Sequence, residues 1–220
     1  TRGKRKTISK DSIKRWLEEC SQLRREQPKR KRSIDKIVSF TDIFLKVLLM
    51  KKDMPTHEQK VYRIAQQLKR RKSTKPVSLK KKAVAHQVPK PGDKRYSDEK
   101  IDISDLNLIL LIDREKQVCI AEPGVTFVDL VKATLKYDLV PTVVPELKTI
   151  TIGGAVAGCS IESMSYKYGG FHDRCLEYEV ITAKGEVLIC TPDNENKLVF
   201  QMVHGTFGTL GIISKLTFRL

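Results

Sequence analysis

No apolar run in the 220-residue sequence approaches the roughly 20 residues needed to span a bilayer, and the charged N-terminus lacks the apolar core of a signal peptide. Aromatic residues are scarce, at 6%. In residues 1–100 they are Trp16, Phe40, Phe44, Tyr62 and Tyr96, few platforms on which bases could stack, and no named nucleic-acid motif accompanies them. Cysteine is confined to Cys20, Cys119, Cys159, Cys175 and Cys190, an odd number placed mostly in apolar runs with no C-x-x-C pair. That pattern reads as buried thiols in a reducing compartment and argues against disulfides or zinc. His172 and His204 stand apart from any Cys or carboxylate at ligand spacing, so no metal site is expected. There is no G-x-S-x-G nucleophile elbow and no G-x-G-x-x-G dinucleotide fingerprint.

What is present is unevenly spread. The net charge is +16. Residues 1–100 hold 31 Lys and Arg against 11 Asp and Glu, whereas residues 101–220 hold 11 against 15. A basic appendage joined to a slightly acidic globular unit explains this split better than a fold that binds polyanion throughout. The length allows one full domain plus such an appendage. The boundary is expected near residue 54, with a basic helical extension over 1–54 and the main domain over 55–220.

Within the extension, Ile13, Trp16, Leu17, Cys20 and Leu23 fall on one helical face. A second set, Ile34, Ile37, Val38, Phe44, Val47 and Leu48, follows a basic break at residues 27–32. A third helix is expected after Thr56, which forms a capping-box pattern with Gln59 and precedes the stripe Val61, Ile64, Ala65 and Leu68. From Lys75 onward short apolar runs closed by turn residues predict strands at 76–79, 108–113 and 118–122. A helix is expected from Thr126 to Tyr137, a hairpin over 176–191 turning at Lys184 and Gly185, a helix over 194–203 and a last strand over 212–220. Strands interleaved with helices, plus a tight hairpin, predict an α+β fold. The chain begins at Thr1 and stops on a strand-like Leu-Thr-Phe-Arg-Leu, which reads as a fragment or processed product.

The densest chemical signal is Thr149-Ile-Thr-Ile-Gly-Gly-Ala-Val-Ala-Gly158. Glycines at a strand-to-helix passage let backbone N–H groups approach a ligand with no Cβ in the way, which suits a pyrophosphate. Tight turn packing without a ligand is the other reading of the same residues. The surrounding blocks are Glu122-Pro-Gly-Val-Thr126, Val144-Pro-Glu146, Glu162-Ser-Met-Ser-Tyr-Lys-Tyr168-Gly-Gly170, Gly185-Glu-Val, Cys190-Thr-Pro192 and Gly205-Thr-Phe-Gly-Thr-Leu-Gly211-Ile-Ile213.

In this order the blocks resemble the FAD-binding domain of the vanillyl-alcohol-oxidase (PCMH) type, over about 145 residues. Within that superfamily they are most similar to the delta(24)-sterol reductases. The resemblance implies a two-subdomain FAD-binding fold, normally completed by a C-terminal substrate domain, and non-covalent FAD. It makes Thr151, Ile152, Gly153, Gly154, Ala155, Val156, Ala157 and Gly158 the segment around the diphosphate and flavin edge, continued by Ser160 and Glu162. Gly208, Gly211 and Ile212 correspond to the block at the adenine end. Glu162 and Tyr168 are the first catalytic candidates to test. The implied activity is reduction of a carbon–carbon double bond in a sterol or other lipid-like substrate, with NADPH as electron donor.

Two other functions remain open: an FAD-dependent oxidase of alcohols or sugar acids, and a truncated, non-catalytic flavin domain. Many members carry an early Arg-x-x-Gly-x-Gly-His loop as a second phosphate cradle. Here its expected place reads Val77-Ser-Leu-Lys-Lys-Lys-Ala83, without glycine. Either Lys80, Lys81 and Lys82 supply charge in place of main-chain donors, or FAD is held weakly or not at all. His86 lacks the context for covalent attachment. Cys159 reads as a small buried thiol. For the basic extension, an anionic membrane surface suits a lipid substrate, nucleic acid is the rival, and a solvated basic face is the third reading. The expected location is the cytoplasm or the cytosolic face of a membrane. No feature of the sequence specifies an oligomeric state.

Overall fold

The computed structural model of the chain describes residues 55–81, 92–147 and 149–220. The two helices expected in residues 1–54, as well as Lys82 and His86, lie outside the described residues. Thr56 opens helix α1 (His57–Lys69) with the expected capping box. Its hydroxyl accepts the Gln59 N–H at 3.3 Å, and the Gln59 side chain accepts the Thr56 N–H at 2.9 Å. The apolar stripe Val61, Ile64, Ala65 and Leu68 is buried against Ile101, Ile103 and Leu106.

Strands β1 (Val77–Lys80) and β2 (Glu99–Asp102) pair in parallel, with Val77 opposite Glu99 and Lys80 opposite Asp102. Strand β2 was not anticipated. Of its four residues only Ile101 is buried, so no alternating apolar signal marks it.

Five further strands form a second, antiparallel sheet: β3 (Ile109–Asp113), β4 (Val118–Ala121), β5 (Cys175–Ile181), β6 (Val187–Cys190) and β7 (Ile212–Arg219). Their spatial order is β3-β4-β7-β5-β6, so β7 inserts at the centre. Because successive side chains of a strand point to opposite faces, neighbours in sequence enter different cores. Val180 and Ile213 join the main core, whereas Ile181 and Ile212 join the cluster under α1.

The main core is closed by helices α2 (Phe127–Thr134) and α3 (Ile152–Ala157), which place Phe127, Leu130, Ile152, Ala155 and Val156 against Tyr178, Leu216 and Phe218. Phe171 stands between Phe127 and Phe218 at centroid distances of 5.0 and 5.2 Å. Burial of side chains this large stabilises by about 1.5–3 kcal/mol each. Two short helices complete the unit, α4 (Ser165–Tyr168) and α5 (Lys197–Met202). The helix expected over 126–137 is α-helical to Thr134 and then tightens into a 3-10 turn at Leu135–Tyr137.

A buried ionic cluster fastens α1 to the antiparallel sheet. The His57 ring bridges two carboxylates, with Nδ1 2.9 Å from Glu122 Oε1 and Nε2 2.8 Å from Glu179 Oε1. Lys60 Nζ donates to both oxygens of Glu122 at 3.0 and 3.1 Å. Glu179 also accepts from the Ser214 hydroxyl at 2.7 Å and from Lys215 Nζ at 3.1 Å. Hydrogen bonds to Glu122 and then to Glu179 raise the His57 pKa to about 9 against the effect of burial. Burial opposes ionisation of Glu179, but the bonds from His57, Ser214 and Lys215 outweigh it and bring its pKa down to about 2. His57 is therefore a cation shared between two anions at neutral pH, which is the arrangement that makes buried charge tolerable.

Candidate functional site

A cavity of about 330 Å³ lies where the parallel pair meets the antiparallel sheet, within the size range of ligand clefts. One wall comes from the ends of β1 and β2 and the loop that follows: Leu79, Lys81, Ile103, Ser104 and Asn107. A second side contains Pro123, Gly124, Thr151, Gly153, Gly154, Ala157 and Ser160, and Phe207, Gly208, Gly211 and Ile212 complete the lining. Two blocks more than 40 residues apart in sequence, 151–160 and 207–213, thus meet on one cavity.

The wall at 151–160 arises from local rules. Thr151 is extended, forms an antiparallel bridge with Thr126, and caps α3 through its hydroxyl, which accepts the Gly154 N–H at 3.2 Å. In α3 the side chains alternate between duties. Ile152, Ala155 and Val156 are fully buried in the main core, so they set the position of the wall without forming it. Gly153, Gly154 and Ala157 face the cavity. Gly158 caps the helix but is exposed outside the lining.

Three of the five glycines on the lining show different reasons to be glycine. A Cβ on Gly153 would lie 2.5 Å from Pro123 Cβ, and one on Gly211 would lie 2.8 Å from Val180 Cγ1 and 2.9 Å from the Ile181 carbonyl oxygen. Packing alone requires both. At Gly154 a Cβ would meet only the Thr151 hydroxyl at 3.1 Å and Ile150 Cγ2 at 3.9 Å. Packing there asks only for a few tenths of an ångström from the Thr151 hydroxyl, and a side chain would take up cavity space. This is the feature that fits a bound cofactor.

The expected nest of free backbone donors is not what the segment presents. The N–H groups of Ile152, Gly153 and Ala155 donate to Val125, Pro123 and Thr151 carbonyl oxygens, each at 2.9 Å, and that of Gly154 is used in the cap. The small residues offer close approach for a ligand and few donors. Polar side chains on the lining are Lys81, Ser104, Asn107, Thr151 and Ser160.

Neither catalytic candidate lines the cavity. Glu162 accepts the Glu146 N–H at 2.8 Å and receives no ligand-facing position, so it braces the Val144-Pro-Glu146 block. The Tyr168 ring packs against the main core, with Lys167 Nζ 5.1 Å and the Arg174 guanidinium 5.5 Å from its centroid. Sequence reading also missed Ser104, Asn107 and Phe207. The last was visible inside the Gly205–Gly211 run; the other two follow a strand that carried no signal. Cys159 adopts a positive φ of 51° outside the lining. Among the described residues no group of His, Cys, Asp and Glu could hold a metal ion, and no helix is long and apolar enough to cross a membrane.

Comparison with known proteins gives this cavity its context. A family model described as an FAD binding domain matches residues 54–191. The Delta(24)-sterol reductase of Pisum sativum is 32% identical over 187 residues, covering 80% of this chain and 33% of that protein. The Delta(24)-sterol reductase of Homo sapiens is 38% identical over 112 residues, covering 51% and 22%. The chain therefore spans about a third or less of the length of the curated relatives it matches. A solved structure of alkyldihydroxyacetonephosphate synthase matches with a TM-score of 0.58 at 21% identity, over 74% of this chain and 29% of that one. At that identity the likeness speaks for the fold, and it agrees with the α+β, two-part architecture expected from the sequence. With more than half of its length matched, this chain belongs to the FAD binding domain family.

Proposed function

We propose that this chain is the FAD-holding part of an oxidoreductase that reduces a carbon–carbon double bond in a sterol or other lipid-like substrate, with NADPH as electron donor. The observation that carries the cofactor assignment is Gly154, a glycine on the cavity lining where a side chain would take up the space a cofactor needs. The reductase assignment draws on the similarity to Delta(24)-sterol reductases over 80% of the chain. Bound in the cleft, FAD would supply hydride transfer, chemistry that amino-acid side chains lack.

The residues of this chain bind and orient. Gly153, Gly154 and Ala157 allow close approach along one wall, the Ser104, Asn107 and Ser160 side chains supply hydrogen-bonding groups, and Leu79, Ile103 and Ile212 keep the lining apolar. Glu162 and Tyr168 act from outside the cavity, by holding the segments that frame it. The basic extension, residues 1–54, is proposed to rest on an anionic membrane surface, placing the protein at the cytosolic face where a lipid-like substrate is found.

The test is anaerobic mixing of the FAD-loaded chain with NADPH. Bleaching of the visible flavin band, reversed by a sterol alkene, is the expected result. A band that responds to a primary alcohol and not to NADPH would overturn the reductase assignment in favour of an oxidase.

A further inference from the structure

Resting on the FAD assignment above, we propose that Lys81, and not Lys80, reads the diphosphate of the cofactor and stands in for a main-chain phosphate cradle. Three observations support it. First, the glycine wall has no N–H to offer over Ile152–Ala155, because all four are used within the chain. A dianionic diphosphate set against that wall needs its donors elsewhere. Second, Lys81 is the one charged residue among the described residues that line the cavity. Third, strand geometry separates it from its neighbour. Side chains alternate along β1 and just beyond it, so Leu79 and Lys81 both reach the cavity, while Lys80 turns to the other side and pairs with Asp102 at 2.8 Å.

That pairing matters, because the Lys80 ammonium beside Asp102 holds the carboxyl well below its usual range. Lys80 is thus already committed to an anion. Lys81 is exposed and has no carboxylate partner among the described residues. It stands at the carboxyl end of two parallel strands, where Ser104 and Asn107 border the same cavity. An ammonium on a flexible stem at that edge can follow a phosphate to which the backbone of Ile152–Ala155 offers no free N–H.

The experiment is a ligand series on the whole chain and three variants, Lys81→Met, Lys81→Arg and Lys80→Met, titrated with FAD and with riboflavin, which lacks phosphate. The expected result is a rise in the FAD dissociation constant of about 10- to 150-fold for Lys81→Met, the loss of one charge-assisted hydrogen bond. Lys81→Arg should stay near the parent, Lys80→Met should change little, and riboflavin affinity should be the same in all four proteins. FAD binding unchanged in Lys81→Met overturns this inference alone. An equal loss for riboflavin also overturns it, since the effect would then not involve phosphate. A folded parent chain that binds neither ligand overturns the FAD assignment and this inference with it.

Discussion

His57 provides a stability prediction whose sign and size both follow from the structure. Its imidazolium sits between Glu122 and Glu179, is 7% exposed, and has its pKa raised from 6.5 to about 9. A group whose pKa is higher in the folded chain contributes stability that is complete below the unfolded value of 6.5 and is lost as pH rises through 9. The rise corresponds to about 3 kcal/mol at 1.36 kcal/mol per pKa unit, a large share of the roughly 5–15 kcal/mol by which domains are stable. The two carboxylates facing the ring, Glu122 and Glu179, both have lowered pKa values and stay ionised across this window. The assay is urea unfolding of the parent and His57→Gln between pH 6 and pH 10. The parent should lose about 3 kcal/mol relative to its value at pH 6, while the variant starts lower and changes far less. Parallel curves for the two proteins would show that the ring does not carry the bridging proton, and the reasoning would fail.

Other outcomes test separate parts of the account. Gly154→Val should abolish flavin retention while leaving the unfolding midpoint close to the parent, since the added side chain enters the cavity; retained flavin, read from visible absorbance after gel filtration, would contradict this. Gly211→Ala should behave oppositely, losing about 1–3 kcal/mol of stability through overpacking against Val180 and the Ile181 backbone, as measured by denaturant unfolding. Removing residues 1–54 should leave FAD affinity unchanged and reduce salt-sensitive adsorption to anionic vesicles. Tighter binding of the parent to nucleic acid than to vesicles, persisting at high salt, would defeat the membrane proposal.

Much of the fold was legible because it follows local rules. The Thr56–Gln59 box, the stripe from Val61 to Leu68, the turn at Lys184 and Gly185 and the final strand each depend on neighbours in sequence. Strand Glu99–Asp102 was not legible, because its place depends on pairing with Val77–Lys80 across some twenty residues and only Ile101 faces a core. The ionic cluster was hidden for a related reason. Lys60 and Glu179 look like ordinary surface charges in the sequence, and only the approach of α1 to β4 and β5 buries them together. Glycine content pointed to residues that line the cavity, yet composition could not separate Gly153 and Gly211, which serve packing, from Gly154, whose nearest neighbour is only the Thr151 hydroxyl. Nor could a run of three lysines reveal that Lys80 and Lys81 diverge, since that depends on which residue is last in the strand.

The central claim is that the cavity between the parallel pair and the glycine wall holds FAD, and a fluorescence titration of the purified chain tests it most directly. Saturable quenching of flavin emission with one FAD per chain, abolished in Gly154→Val, is the predicted result. A chain that unfolds cooperatively, and so is folded, but quenches no flavin at any concentration would contradict it.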